Sequence, residues 1–133
     1  MIFGFGGGAS IYFCTRPVDM RKSFDGLSGE VLRNMGGDPT SGNYFVFTNR
    51  QRNRLKILVF DRHGFWVLAK RLEQGRFTLP LTDEAIHSGQ MVLPWEELMC
   101  IIEGIDLRSV RKQKRYSLSV ASADKNLNKM SFS

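Results

Sequence analysis

The sequence predicts an α+β domain. Its core is an antiparallel β-meander of three to four strands, with an amphipathic helix packed on one face and a second short helix near the C-terminus. Three observations carry this expectation. First, Asn43-Tyr-Phe-Val-Phe-Thr-Asn49, Leu55-Lys-Ile-Leu-Val-Phe-Asp61 and Phe65-Trp-Val-Leu-Ala-Lys-Arg-Leu72 are short runs rich in aromatic and β-branched residues, separated by polar, turn-like clusters. Their connections are short, which demands antiparallel neighbours, because parallel strands need a long crossover. Second, Met20, Phe24, Leu27, Val31 and Met35 recur at spacings of four, three, four and four, one apolar stripe on a helix. Third, Leu98, Ile101, Ile102 and Ile105 form another stripe after Pro94, and Gly104 ends it.

In chain order, residues 1–9 are glycine-rich and expected to be flexible. Gly6-Gly-Gly8 lacks the Gly-Lys-Ser/Thr that completes a phosphate loop. Residues 10–15 read as a first strand. Pro17 keeps Arg16 out of helical angles, and Asp19 is a suitable N-cap for a helix over 19–35. Gly26 and Gly29 weaken that helix by about 1 kcal/mol each relative to alanine, and are read as allowing close approach to the sheet. Gly36-Gly37 ends it, and Asp38-Pro-Thr-Ser-Gly42 is a loop by composition. The apolar positions of the second meander strand fall on both of its faces, so one face is expected to meet the helix and the other the C-terminal half or a partner. Phe65 and Trp66 point to opposite faces; an exposed aromatic beside Arg or Lys stacks on a base, though such residues are more often core. Residues 82–92 show no readable pattern. The resulting division is a flexible start over 1–9, one α+β domain over 10–108 and a basic, flexible tail over 109–133.

Charge is concentrated on the meander. The chain carries a formal net charge of +6 and an isoelectric point near 9.7, a balance that fits a polyanionic partner or simply a soluble basic surface. Around the sheet, Arg50, Arg52, Arg54, Lys56, Arg62, Lys70, Arg71 and Arg76 face only Asp61 and Glu73. Arg21 and Lys22 would lie in the first helical turn, where the dipole is already positive. Cations there are mildly destabilising unless an anion arrives, so a phosphate is the functional reading and two solvated side chains offset by Asp19 the bland one. Arg111, Lys112, Lys114 and Arg115 add a basic cluster to the tail, able to settle on phosphates or merely to solvate it. The candidate nucleic-acid contacts are therefore Arg21, Lys22, Arg50, Arg52, Arg54, Lys56, Lys70, Arg71, Arg76, Arg111, Lys112, Lys114 and Arg115.

Other chemistries find little support. Cys14 and Cys100 are far apart, and His63 and His87 are the only histidines, so no zinc-like ligand cluster is expected. Both cysteines sit in apolar runs and read as buried free thiols, consistent with a reducing cytoplasm. No apolar run reaches the roughly 18–20 residues of a membrane span, and the start lacks the basic region of a secretory signal. Two-metal DNA cleavage needs clustered carboxylates. Asp19, Asp25, Asp61 and Asp83 are available, but Asp19 suits a cap and Asp61 a hairpin turn, and neither histidine pairs with a nucleophile. No enzyme activity, metal, cofactor or small-molecule substrate is expected.

Five short motifs follow in order: Pro17-Val-Asp-Met-Arg-Lys-Ser-Phe-Asp-Gly-Leu27; Asp38-Pro-Thr-Ser-Gly-Asn-Tyr-Phe-Val-Phe47; Asn53-Arg-Leu-Lys-Ile-Leu-Val-Phe-Asp61; Lys70-Arg-Leu-Glu-Gln-Gly-Arg-Phe77; and Leu98 with Glu103-Gly-Ile-Asp106. Over roughly residues 10–108 the chain resembles the TnpB (second open reading frame) accessory proteins of insertion sequences of the sixty-six type, which are unrelated to the RNA-guided nucleases sharing that name. The resemblance implies a role in bacterial transposition beside a separate transposase, and no catalytic residues. The glycine-rich start and the basic tail lie outside the shared pattern. Two expectations follow: a non-catalytic accessory factor that binds element-end DNA through its basic surface, placing it with the nucleoid, or an interaction module that docks on the transposase and the element's other proteins, through the second apolar face of the sheet, without contacting DNA.

Overall fold

The computed structural model describes residues 8–104. Residues 1–7, Ile105, Asp106 and the tail with Arg111, Lys112, Lys114 and Arg115 lie outside the described residues.

The predicted meander is present. Strands β2 (Tyr44–Thr48), β3 (Arg54–Asp61) and β4 (Gly64–Arg71) pair antiparallel, with Val46 opposite Ile57 and Leu58 opposite Val67. Arg62 and His63 make the β3–β4 turn, with Arg62 at a left-handed φ of 61°. The sheet, however, is larger than the expected three to four strands and is mixed. It has five strands in the order β4-β3-β2-β1-β5. Strand β1 (Ile11–Cys14) runs parallel to β2, and β5 (Gln90–Leu93) runs antiparallel to β1. The parallel pair is possible because residues 15–43 are long enough to carry a helix back over one face, the crossover that parallel pairing requires. Ahead of β5, residues 82–89 fold as helix α2 (Asp83–Ser88) between two caps. The Thr82 hydroxyl accepts the Ala85 N–H at 3.1 Å, and Gly89 closes the helix at φ 88°.

Both faces of this sheet are covered. Helix α1 (Phe24–Asn34) places Leu27 and Val31 against Cys14, Phe45, Phe47 and Leu58, with Val18, Met20 and Met35 at the margins. On the opposite face, helix α3 (Trp95–Glu103) places Leu98 and Ile101 against Ile11, Phe13, Tyr44, Val46, Leu55, Ile57 and Val59, and Phe77, Leu79 and Leu81 complete the layer. All five residues of β2 are buried, which explains why it reads as a continuous apolar run. The second face, considered above as a docking surface, is therefore filled by the C-terminal half of the same domain. Helix α3 begins after Pro94, its N-cap, and ends at Gly104 with φ 79°.

The start of α1 corrects the sequence reading. The helix begins at Phe24, not at 19, and its N-cap Ser23 makes no side-chain capping bond. Residues 19–22 form a turn instead: Asp19 Oδ1 accepts the Arg21 N–H at 2.9 Å, and Asp19 O accepts the Lys22 N–H at 3.1 Å. Two forces favour the turn. An aspartate readily bonds the backbone two residues on. Lys56, on the β3 face under α1, also needs acceptors for its half-buried ammonium, and its Nζ donates to Met20 O at 2.8 Å and Lys22 O at 2.7 Å. A helix running through residue 20 would engage the Met20 carbonyl itself. Lys22 reaches over the first turn to Glu30 Oε2 at 2.7 Å. The two helix glycines make room for side chains rather than for the sheet. A Cβ at Gly26 would stand 2.9 Å from Lys22 Cβ, and one at Gly29 would stand 2.6 Å from an Arg33 guanidinium nitrogen. The C-terminus follows expectation: Gly36 is left-handed at φ 63° and the Gly37 N–H reaches Val31 O at 3.2 Å.

These two lysine contacts can be tested by substitution. Lys56→Met keeps the apolar stem but leaves two inward carbonyls without their donor, so it is expected to lower unfolding stability by about 1–3 kcal/mol; a variant that matches the parent in denaturant titration would contradict the strap. The Glu30 carboxyl lies below the usual glutamate range because it accepts a hydrogen bond from Lys22. A lowered folded-state pKa stabilises above the unfolded value, about 4.3, and that stabilisation is lost as pH falls through the folded value. Glu30→Gln is thus expected to be less stable than the parent at pH 6, with the gap closing below about pH 4. A gap that stays constant from pH 6 to pH 3 would exclude the ion pair as its cause.

Candidate nucleic-acid interface

The basic tract between β2 and β3 is held by two asparagines. Asn49 Oδ1 accepts the N–H groups of Asn53 and Arg54, each at 3.0 Å, and Asn49 Nδ2 donates to Asn53 Oδ1 at 2.7 Å. The Arg52 N–H reaches Asn49 O at 3.1 Å, closing a tight tip in which Arg52 takes φ 59°. The left-handed region costs an L-residue roughly 1–2 kcal/mol, and only glycine, with asparagine and aspartate at times, visits it routinely. The chain beyond β4 then folds against this tip. The Leu72 N–H donates to Asn53 O at 2.8 Å and the Phe77 N–H to Arg52 O at 2.7 Å, while the Phe77 ring is buried in the core. That anchor sets Arg76 next to the tip.

Two adjoining clefts result. One, of about 350 Å³, is lined by the 17–21 turn with Arg21 and by Asn49, Arg50, Gln51 and Arg54. The other, of about 480 Å³, is lined by Met20, Arg54, Leu55, Lys56, Ala69, Lys70, Arg71 and Glu73. Arg54 and Met20 belong to both. Of the sequence-predicted cations, Arg21, Arg50, Arg54, Lys56, Lys70 and Arg71 thus line one rim, although they come from three separate segments.

Their availability differs. Arg50, Arg52, Arg54 and Arg76 are exposed, and none makes an ion pair among the described residues. Arg21 is exposed but its guanidinium lies on the Asp19 carboxylate, which holds Asp19 down to about 2. Arg71 contacts Glu73 at 3.1 Å. Three expected contacts are committed elsewhere. Lys22 pairs with Glu30, Lys56 is drawn inward to two carbonyls, and Lys70 Nζ donates to Ile102 O at 2.7 Å, satisfying a carbonyl at the end of α3. Arg21 and Lys22 do not add to a helix dipole, because both precede the helix. Asn49 and Asn53 were missed as builders of the site. Their signal was legible: asparagines bracketing an arginine tract between two strands mark a side-chain-stapled turn.

Among the described residues no group of three His, Cys, Asp or Glu side chains is placed to hold a metal ion. Burial pushes the thiols of Cys14 and Cys100 above the usual range, so neither is primed as a thiolate nucleophile. No described helix is long and apolar enough to cross a membrane.

A family model described as IS66 Orf2 like protein matches residues 9–112, reaching Arg111 and Lys112 at its end. The uncharacterized protein y4jC of Sinorhizobium fredii (strain NBRC 101917 / NGR234) is 32% identical over 107 residues, covering 80% of this chain and 87% of that protein. The uncharacterized protein y4hO of the same strain is 31% identical over 103 residues, covering 77% and 86%. No solved structure matches. With most of its length inside the family model, this chain belongs to the IS66 Orf2-like family of insertion-sequence accessory proteins.

Proposed function

We propose that this accessory protein assists transposition by binding DNA, including the ends of its element, through the basic rim at the Arg54 end of β3, and that it does so without catalysis. The observation that carries this reading is the convergence of Arg21, Arg50, Arg54 and Arg71 around two adjoining clefts, with Arg52 and Arg76 beside them and the hairpin cations outside any ion pair among the described residues. Cations gathered on one surface, four of them (Arg50, Arg52, Arg54 and Arg76) without an ion pair among the described residues, create a field that draws polyanions. Contacts of this kind position a duplex rather than read its sequence, because phosphates carry little base information.

A second reading, docking on the element's transposase, draws on β4. Among the described residues this eight-residue strand has β3 as its one neighbour in the sheet, and an open edge of that length is a template for pairing with another chain. The two readings are compatible, as the edge and the arginine rim use different groups.

Changing Arg50, Arg52 and Arg54 together to alanine is expected to weaken binding to every duplex sequence alike. The dependence of log K on log salt should fall by about 1 for each phosphate that the variant no longer neutralises. Asn49→Ala should weaken binding too, by loosening the loop that presents the arginines. Fluorescence anisotropy at several salt concentrations reads both. A triple variant that binds as tightly as the parent, with an unchanged slope, would place DNA elsewhere or nowhere on this protein.

A further inference from the structure

Within the basic rim, one pair of residues breaks a rule that the rest of the sheet obeys. Arg54 and Arg71 are direct cross-strand partners in the β3–β4 ladder. Directly opposed residues share a face, with Cβ atoms about 4.5–5.5 Å apart, and like charges placed so are destabilising. Further along this ladder the opposed residues on that face are apolar: Leu58 with Val67 and Phe60 with Phe65. Lys56, two residues further along β3 and opposite Ala69, adds a third cation to the same face, and its carbonyl acceptors do not remove its charge. Glu73 is the one carboxylate lining this cleft. It touches Arg71 from an exposed position, at 3.1 Å, and makes no bond to Arg54. Violations of local consistency that the fold retains are expected where function requires them.

The geometry points to Arg54 and Arg71 as a two-arginine clamp for a single backbone phosphate of the bound nucleic acid, with Glu73 as the internal anion that the phosphate displaces from Arg71. This rests on the DNA-binding reading and deepens it by assigning one phosphate to one pair. The cross-strand spacing sets the two guanidinium groups within reach of the same oxyanion, which planar forks of donors bind in bidentate fashion. In the free protein the repulsion is only partly relieved by Glu73. In the complex a phosphate lies between both cations, so the unfavourable pair becomes a binding determinant. No covalent bond forms or breaks: the Arg71–Glu73 hydrogen bond is exchanged for bonds to the phosphate, and Glu73 rotates away into solvent.

The test is a double-mutant cycle with Arg54→Gln and Arg71→Gln, read by anisotropy on a duplex across a salt series, with unfolding curves to verify that each variant folds. Because the salt slope counts phosphates neutralised rather than arginines present, the double variant should lose about 1 from the slope in total. The second substitution should weaken binding far less than the first. Glu73→Gln should tighten binding about two- to fivefold in the parent and have no effect once Arg71 is replaced. Losses that multiply, with a slope reduction of about 2, would overturn the clamp and leave two independent contacts. A Glu73→Gln effect that persists without Arg71 would overturn the displacement. A parent that binds no duplex overturns the DNA reading and the clamp with it, whereas a parent that binds while both single variants match it overturns the clamp alone.

Discussion

Burial of both faces of the sheet is the constraint on which the rest of the molecule depends. Helix α1 closes one side over Phe45, Phe47 and Leu58, and helix α3 with Phe77 closes the other over Phe13, Val46 and Ile57. A charged side chain cannot enter such layers unpaired, so charge is confined to strand ends and edges or must carry its own acceptors. Lys56 is the instructive exception. It points under α1, and the chain answers by leaving the Met20 and Lys22 carbonyls free of helix. That single accommodation delays the start of α1 to Phe24 and leaves the 17–21 turn as one wall of the basic cleft. The turn that walls the cleft thus answers a half-buried cation as well as the bond from the Arg21 N–H to Asp19.

The rim opposite is built by the same economy of space. Phe77 is required in the core, and its burial pulls residues 72–77 across the hairpin tip, where their N–H groups meet the carbonyls of Asn53 and Arg52. Hydrophobic burial therefore positions Arg76, and the asparagine staple positions Arg50, Arg52 and Arg54. The cations with inward partners, Lys22, Lys56 and Lys70, hold the architecture. Those without them, Arg50, Arg52, Arg54 and Arg76 among them, stay exposed at the rim. That division suits the side chains: an ammonium is a compact point charge for carbonyls, while a guanidinium presents a planar fork to phosphate.

Much of this was legible in the sequence, and the failures have physical causes. The meander, Leu27 and Val31 of α1 and Leu98 and Ile101 of α3 were readable because each follows a simple period, whereas Phe24, expected on the same stripe, is exposed. The parallel β1–β2 pair was not drawn, although residues 15–43 had the length for it, because strand direction depends on where a helix packs. Helix α2 and β5 are six and four residues long, too short to show periodicity. Yet Thr82 followed by Asp83 and Glu84, with Gly89 beyond, carried both helix caps. The helix start failed because Asp19 suits a local turn as well as a cap, and only the contact with Lys56 decides between them. For the site, residue type identified the cations, but availability depended on partners both near in the chain, as Asp19 for Arg21 and Glu73 for Arg71, and far from it, as Met20 for Lys56 and Ile102 for Lys70.

The central claim is that the Arg54 end of β3 is the surface that meets DNA. Backbone amide shift mapping on the full chain, titrated with a short duplex, tests it most directly. The account predicts perturbations concentrated over residues 17–22, 49–54 and 69–76, with α2 and β5 unaffected. Perturbations centred on α2 and β5, or none at saturating duplex, would contradict it.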